Sequence, residues 1–381
     1  MIRFLPYVIK NLLRHRLRTL LTISGAAVAL GVFAVVGAVQ DGLAGLTKNQ
    51  QADRSLIVFQ ANRFCPSTSK LPENYAAQVA KIPGVVDVIP IQVFMNNCRA
   101  SLDLVVFHGV PPDKLRAFRD LTLTSGDWSA FASRQNAAIV GASLARRRGL
   151  AVGHTFSIGE VSVQIAGVYS SPVPGEENYL YAHLPFLQRT RGLNSVGMVT
   201  QLEVKLSEGA VAADVAKASD ERFRAGPIAT DSRPKGVFQA AAVADLADVI
   251  GMATYLGFAC VGLVLALVAT TTVMAVQDRV REYAVLQTLG FTGYRIFGLV
   301  IAESLIVSVV GGLIGLSVAL AGLHFSGLSI GTEGVSIAFL PSPRVALIGL
   351  AVTLAIGALA GLAPAWRAAR AEIVESLRYA G

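Results

Sequence analysis

Four stretches of this chain are almost free of charge. Residues 19–40, 250–276, 296–325 and 345–366 are apolar over more than 20 positions each, and the one acid among them is Glu303. About 20 apolar residues in an α-helix cross the roughly 30 Å hydrocarbon core of a bilayer, so the four stretches read as transmembrane helices. Composition agrees. Hydrophobic residues make up 53% and charged residues 15% of the chain, where globular chains carry about 25% charged. A cytosolic enzyme, a secreted disulfide scaffold and a nucleic-acid binder are excluded.

The net charge of +8 is concentrated beside the apolar stretches. Between Asp41 and Ile250, 21 Lys/Arg face 19 Asp/Glu. Residues 1–18, 277–295 and 367–381 hold eleven Lys/Arg against the four acids Asp278, Glu282, Glu372 and Glu375. The positive-inside rule puts those three segments in the cytoplasm. Both termini then lie inside, while the segment 41–249 and the short loop 326–344 lie outside. The basic residues act as topology determinants and contacts to anionic lipids.

Ahead of the first span, Ile2, Leu5, Ile9, Leu12 and Leu13 share one helical face and Arg3, Lys10, Arg14 and Arg18 the other. This reads as an amphipathic helix along the inner leaflet, with a basic signal-anchor flank as the alternative. Cys65 and Cys98 fall in the external segment, where an oxidising compartment permits a disulfide; sequence does not fix their separation, and the pairing stays open. Cys260, inside the second span, reads as a packing residue.

The fold class expected is a polytopic α-helical membrane protein with four transmembrane helices and a large α/β extracytoplasmic domain containing an inserted β-rich lobe. Ser55-Leu-Ile-Val-Phe-Gln60, Val85-Val-Asp-Val-Ile-Pro90, Leu104-Val-Val-Phe-His-Gly109 and Val199-Thr-Gln-Leu-Glu-Val-Lys-Leu206 have strand character. Residues 72–81 and 210–223 have helix character. The texture changes near 125–174: a strand, an Arg-rich helix at 143–148, glycine turns at Gly149 and Gly153, then two β runs. The larger lobe is expected over about 50–124 and 175–236, with 125–174 inserted. Stretches at 41–51 and 239–249 read as stalks, the second running helically into the second span.

Catalytic constellations are thin. The chain has no G-x-x-x-x-G-K-[ST], no H-E-x-x-H and no C-x-x-C, and its five histidines never pair at i, i+4. The chain reads as no enzyme, with no catalytic residue, metal ligand or cofactor of its own. Attention falls instead on the loop Asp278-Arg-Val-Arg-Glu-Tyr-Ala-Val-Leu-Gln-Thr-Leu-Gly290, charged at its start, then amphipathic, and closed by a glycine suited to a helix cap. Periodicity alone leaves open a solvated turn or a short helix facing a cytosolic partner. Glu303 sits about eight residues into the third span, where a carboxylate costs about 2.5–3.5 kcal/mol on insertion scales. It is either a functional group or an acid near the inner interface bonded to backbone or to Ser/Thr hydroxyls.

Val280-Arg-Glu-Tyr-Ala-Val-Leu-Gln-Thr-Leu-Gly-Phe-Thr-Gly-Tyr-Arg295, then Ala302-Glu303-Ser304 and Gly311-Gly-Leu-Ile-Gly315, resemble the signature of FtsX-like/MacB-type ABC transporter permeases. Pro364-Ala-Trp-Arg-Ala-Ala-Arg370 through Glu375-Ser-Leu-Arg-Tyr379 resembles their C-terminal motif, and Asn11-Leu-Leu-Arg-His-Arg-Leu-Arg18 their entry to the first span. The tail departs at Ile373, where the family commonly has proline.

The resemblance implies a mechanotransmission permease without a fused ATPase domain. A separate cytosolic ABC ATPase subunit, holding ATP and Mg, would drive a dimer with a second permease copy (identical or a close paralogue) in the bacterial inner membrane. A periplasmic adaptor or lipid carrier and membrane lipids are further partners; nucleic acid is not. Arg279, Arg281, Glu282, Tyr283, Leu286, Leu289 and Gly290 would form the ATPase-coupling helix, and Glu303 takes a structural or coupling role. The implied activity is export or extraction of an amphipathic or lipidic cargo. The alternative is a non-transporting permease that activates a cell-wall hydrolase or sensor.

Overall fold

The computed structural model describes residues 10, 12, 14–52, 55–63, 68–96, 104–326, 328–332, 334–339 and 342–370. Cys65, Cys98, most of the N-terminal amphipathic segment and the tail from 371 lie outside the described residues. The chain divides into two compact units, one of residues 1–40, 250–325 and 340–381, the other of 41–249 and 326–339.

The first unit is helical. Its helices are α1 (Arg16–Ala52), α2 (Ala244–Gln277), α3 (Val280–Thr288), α4 (Gly293–Ser326) and α5 (Pro343–Arg370). All but α3 are long and apolar enough to cross a membrane. The division between units falls inside α1 and inside α2. The helix expected from 239 is interrupted, because Val243 leaves helical geometry (φ −108°, ψ 8°) between the helix Lys235–Ala242 and α2.

Small residues set the helix spacing. Ala26 and Leu30 pack with Val264, Val268, Ile356 and Ala360. A Cβ on Gly311 would lie 2.7 Å from the Ala26 Cβ, and one on Gly315 would meet the Ala27 backbone, so α1 crosses α4 at backbone contact. A Cβ on Gly357 would lie 2.9 Å from the Leu305 Cα, which brings α5 equally close to α4. Gly311/Gly315 and Gly357/Gly361 therefore pack helices of one chain. With no water for apolar faces to escape, helices in a bilayer gain from such close van der Waals approach.

The second unit is built on a ten-stranded mixed sheet. Its strands are β1 (Ser55–Gln60), β3 (Val85–Met95), β4 (Val106–Val110), β5 (Thr122–Gly126), β6 (Ala137–Gly141), β7 (Thr155–Ile158), β8 (Val161–Ser170), β9 (Tyr179–His183), β11 (Gln201–Leu206) and β12 (Thr230–Pro234); β2 (Leu71–Pro72) and β10 (Met198–Val199) form a small ribbon. The order is β12-β1-β11-β3-β4-β9-β6-β8-β5, with β7 on β8. The β4–β9 and β6–β8 pairs are parallel and the rest antiparallel.

The long strand β3 joins two half-sheets. Its residues 85–91 pair with β11 and its residues 92–95 with β4. One core lies on the first half, where Leu56, Val58, Leu202 and Val204 pack with Tyr75 and Phe223, whose rings stack at 4.0 Å. The other half buries both faces: Val106, Ile139 and Tyr181 point to one core, Phe107, Val140 and Leu180 to the other. Alternation of period two thus supplies two apolar faces, as sandwiched strands require.

The β-rich stretch at 125–174 is inserted in the larger α/β unit and continues its sheet, since β6 pairs with β9 (Ile139 opposite Tyr181). The dividing line falls on β3, between Ile91 and Gln92. The loop 326–344 is no plain connection. It holds a hairpin, β13 (Ser329–Thr332) and β14 (Val335–Ala338), that belongs to the α/β unit. Arg147 Nη1 donates to Ser329 Oγ (2.7 Å) and to Asn178 Oδ1 (3.2 Å), and the Ser336 amide donates to the Tyr179 hydroxyl (3.3 Å). Val335 and Ile337 are buried there.

Candidate functional site

Helix α3 forms where Val280-Arg-Glu-Tyr-Ala-Val-Leu-Gln-Thr288 has helix-forming residues and an acid in its first turn, which suits the positive end of the helix dipole. It closes in a Schellman turn. The Phe291 amide donates to Leu286 O (3.0 Å), the Gly290 amide to Gln287 O (3.0 Å), and Gly290 takes φ +93°, a region that favours glycine.

The faces of α3 separate the predicted site residues. Tyr283 and Leu286 turn inward onto Val276, Ile296, Val300, Ala365 and Ala368. Arg281, Leu289 and Gly290 turn outward. Leu289 is 72% exposed and Tyr294, at the start of α4, 85%, with Val285 exposed beside them. Neither Val285 nor Tyr294 was among the sequence candidates; the signal was the spacing of Val285 with Leu289 on one face.

Arg279 is no outward-facing contact either. Its Nη1 donates to both carboxylate oxygens of Glu303 (2.9 and 3.1 Å), with side-chain exposures of only 4% and 12%. Glu303 thus has a charged partner, where the sequence reading offered backbone or hydroxyl groups. Two further pairs tie the start of α3 to the first turn of α1 and the residues before it: Arg18–Asp278 at 2.7 Å, half-buried, and Arg14–Glu282 at 2.8 Å, exposed. Exposed pairs are worth about 0.2–1 kcal/mol each. Removing one partner of a buried pair costs about 3–5 kcal/mol, so Arg279–Glu303 dominates.

Beside that pair lies a polar cavity of about 30 Å³, lined by Arg18, Thr19, Thr22, Thr271, Thr272 and Ser304 among others. That is space for about one or two waters. The threonine hydroxyls donate to carbonyls of their own segments, Thr22 to Arg18 O (2.9 Å) and Thr272 to Val268 O (2.7 Å).

The α/β unit holds a second polar centre that the sequence did not announce. Glu203 on β11 is buried and accepts from Arg119 Nη1 (2.7 Å), from Arg119 Nη2 and from Lys235 Nζ (3.2 Å). Arg119 Nε also lies 3.1 Å from Glu176 Oε1. Burial opposes the Glu203 charge, but Arg119 and Lys235 outweigh it and hold the carboxyl well below the usual range. His108 packs at a tilt against Tyr179 with ring centres 4.5 Å apart, and its Nδ1 is buried without a hydrogen-bond partner among the described residues. Burial, then Arg119, hold its imidazole down to about 3.

The folded domain therefore keeps His108 neutral while the unfolded chain takes up a proton below its ordinary 6.5. Stability from this group is complete above pH 6.5 and falls with pH down to about 3. At pH 5 the loss is about 2 kcal/mol. We expect the thermal midpoint to drop between pH 7 and pH 5, and His108→Phe to remove most of that drop. Parallel pH profiles for the two proteins would refute it. Among the described residues, no three His, Cys, Asp or Glu side chains converge as a metal site.

The chain thus combines a span bundle, with a short amphipathic helix between two of its spans, and a large α/β unit. Two family models match it: the MacB-like periplasmic core domain over residues 19–222 and the FtsX-like permease C-terminal over residues 255–373. The first alone covers more than half of the chain. The chain belongs to the FtsX/MacB-type ABC transporter permeases, and it is a multi-pass membrane protein with a periplasmic domain.

A relative, the uncharacterized ABC transporter permease YknZ of Bacillus subtilis (strain 168), is 29% identical over 106 residues, 28% of this chain and 25% of the relative. The match thus spans about a quarter of that relative's length. Among solved structures, the periplasmic region of MacB from Actinobacillus actinomycetemcomitans aligns at 13% identity and TM-score 0.38, over 51% of this chain and 95% of that one. The extracellular domain of the noncanonic ABC-type transporter YknZ from Gram-positive bacteria aligns at 14% and 0.36, over 47% and 99%.

Proposed function

We propose that this permease subunit couples ATP hydrolysis by a separate cytosolic ATPase to rearrangement of its periplasmic domain, and so exports or extracts an amphipathic or lipidic cargo. The observation that carries the proposal is α3. Its inner face is packed on the spans, while Val285, Leu289 and Tyr294 stand exposed between two of them. Exposed apolar side chains grouped beside charged ones mark a protein contact more than a solvated turn. ATP and Mg belong to the partner, and a second permease copy completes the assembly. Membership of the family supports a placement in the inner membrane with both termini in the cytoplasm, in line with the basic ends.

The periplasmic unit takes up chain from α1, returns it through α2, and holds the β13–β14 hairpin between α4 and α5. All four spans are thus continuous in sequence with that unit, an arrangement suited to a lever.

The test is a mild-detergent pull-down of the tagged chain from native membranes. An ABC ATPase together with an adaptor or lipid carrier is expected; an ATPase with a cell-wall hydrolase or sensor kinase would move the reading to signalling. Leu289→Asp should lower ATPase recovery at least tenfold at unchanged membrane levels of the permease. Undiminished recovery would reject α3 as the contact.

A further inference from the structure

We infer that Arg279 and Glu303 are a positioning pair through which movement of α3 reaches α4, and that the next residue, Ser304, passes it to α5. The inference rests on the reading that α3 seats an ATPase. Covalently, α3 hangs between short connections: Asp278 and Arg279 toward α2, Leu289 to Thr292 toward α4. Short links alone let a helix of about two and a half turns swing. Its start is fixed by a guanidinium nitrogen bonded to both oxygens of a carboxylate on the next span, at 2.9 and 3.1 Å, nearly out of solvent.

Alternative partners for that carboxylate are taken up elsewhere. The hydroxyls of Thr19, Thr22, Thr271 and Thr272, which line the same cavity, donate to backbone carbonyls. The Arg14 pair faces solvent, the half-buried Arg18 is taken up by Asp278, and both hold α3 only toward the start of α1. Ser304 Oγ, meanwhile, donates across to Gly357 O of α5 at 2.9 Å. There α5 approaches so closely that a Cβ on Gly357 would lie 2.9 Å from the Leu305 Cα. Consecutive residues of α4 thus grip α3 on one side and α5 on the other. The motif Ala302-Glu303-Ser304 acquires a physical meaning as a junction, in place of proton or cargo contact.

The experiment uses the full chain purified in lipid nanodiscs with whatever ATPase subunit accompanies it. Glu303→Gln, Arg279→Gln and the double variant are compared, with Arg14→Gln as control. Hydrogen exchange is read over residues 280–288, and ATP turnover per bound ATPase. Each single variant should speed exchange at 280–288 at least tenfold, leave the sheet strands unchanged, and lower turnover at least fivefold. The double variant should stay within about twofold of the singles, because groups that act as one unit lose their effect once. Arg14→Gln should stay within about twofold of wild type, as its pair with Glu282 is exposed and contributes little.

Unchanged exchange in Glu303→Gln overturns the pair, and so do effects that multiply in the double variant. Faster exchange with unaltered turnover overturns transmission through it. If the wild-type chain brings down no ATPase, the reading of α3 as its seat fails, while exchange at 280–288 still decides the pair.

Discussion

Replacing Glu203 by alanine should lower the thermal midpoint of the periplasmic domain by on the order of 10 °C. The carboxylate is the shared acceptor of two cations, Arg119 and Lys235, whose side chains are mostly withdrawn from water. Without it, both charges remain in a site that cannot solvate them, a change that costs about 3–5 kcal/mol. A domain of this size shifts by about 2–4 °C per kcal/mol. Glu176 also reaches Arg119 and so relieves part of the loss. Glu203→Gln should fall between, since its amide oxygen still accepts one donor. Asp231→Ala supplies the contrast: its bidentate partner Arg233 is near the surface, and the change should stay within about 1 kcal/mol. Circular dichroism melts of the purified proteins decide this. A Glu203→Ala midpoint within about 2 °C of wild type would show that the network is relaxed or hydrated in solution.

That network illustrates what the sequence hides. Gln201-Leu-Glu-Val-Lys-Leu206 alternates polar and apolar, which predicts Glu203 and Lys205 on a solvated face. Lys205 is exposed, yet Glu203 is buried, because cations 84 residues earlier and 32 later converge on it. The same logic hid the partner of Glu303. Arg279 is 24 residues away across a turn, a separation at which neither helix periodicity nor strand pairing links two side chains. The β13–β14 hairpin was invisible for a similar reason: its strands are four residues each, and the groups that hold it, Arg147 and Asn178, lie 182 and 151 residues upstream of Ser329.

Other features were readable because one physical signal dominated each of them. Hydropathy alone located the four spans, since nothing but a bilayer or a large core accepts such stretches. The amphipathic run ending at Gly290 marked the place of α3 and its cap glycine, while periodicity alone left a solvated turn equally open. Which of its residues turn inward was not readable, since that depends on where α4 and α5 pass. The β-rich texture near 125–174 was real, but texture carries no register, and only pairing with β9 reveals that those strands continue the larger sheet.

The α1–α4 crossing leads to the other large expected effect. Gly315→Val should disrupt the span bundle and lower the midpoint of the detergent-purified chain by on the order of 10 °C, with a loss of monodisperse protein. A side chain at 315 would be driven into the carbonyl and Cα of Ala27, and a Cβ on Gly31 would already lie 3.4 Å from the Gly315 oxygen, so neither helix has a flexible group to move aside. Overpacking of a filled interior costs about 1–3 kcal/mol where side chains can shift; where backbone meets backbone the helices must separate, and contacts along the whole crossing are lost. Two comparisons isolate the cause. Gly322, about two turns further along α4, has no atom within 4 Å of its would-be Cβ, so Gly322→Val should leave the midpoint within about 2 °C. Ala27→Gly should not rescue Gly315→Ala, because the colliding atoms at position 27 are backbone. At Gly311 the first contact is the Ala26 Cβ itself, so Ala26→Gly should recover part of the stability lost in Gly311→Ala. Equal midpoints for Gly315→Val and Gly322→Val would mean that α1 does not cross α4 at these glycines.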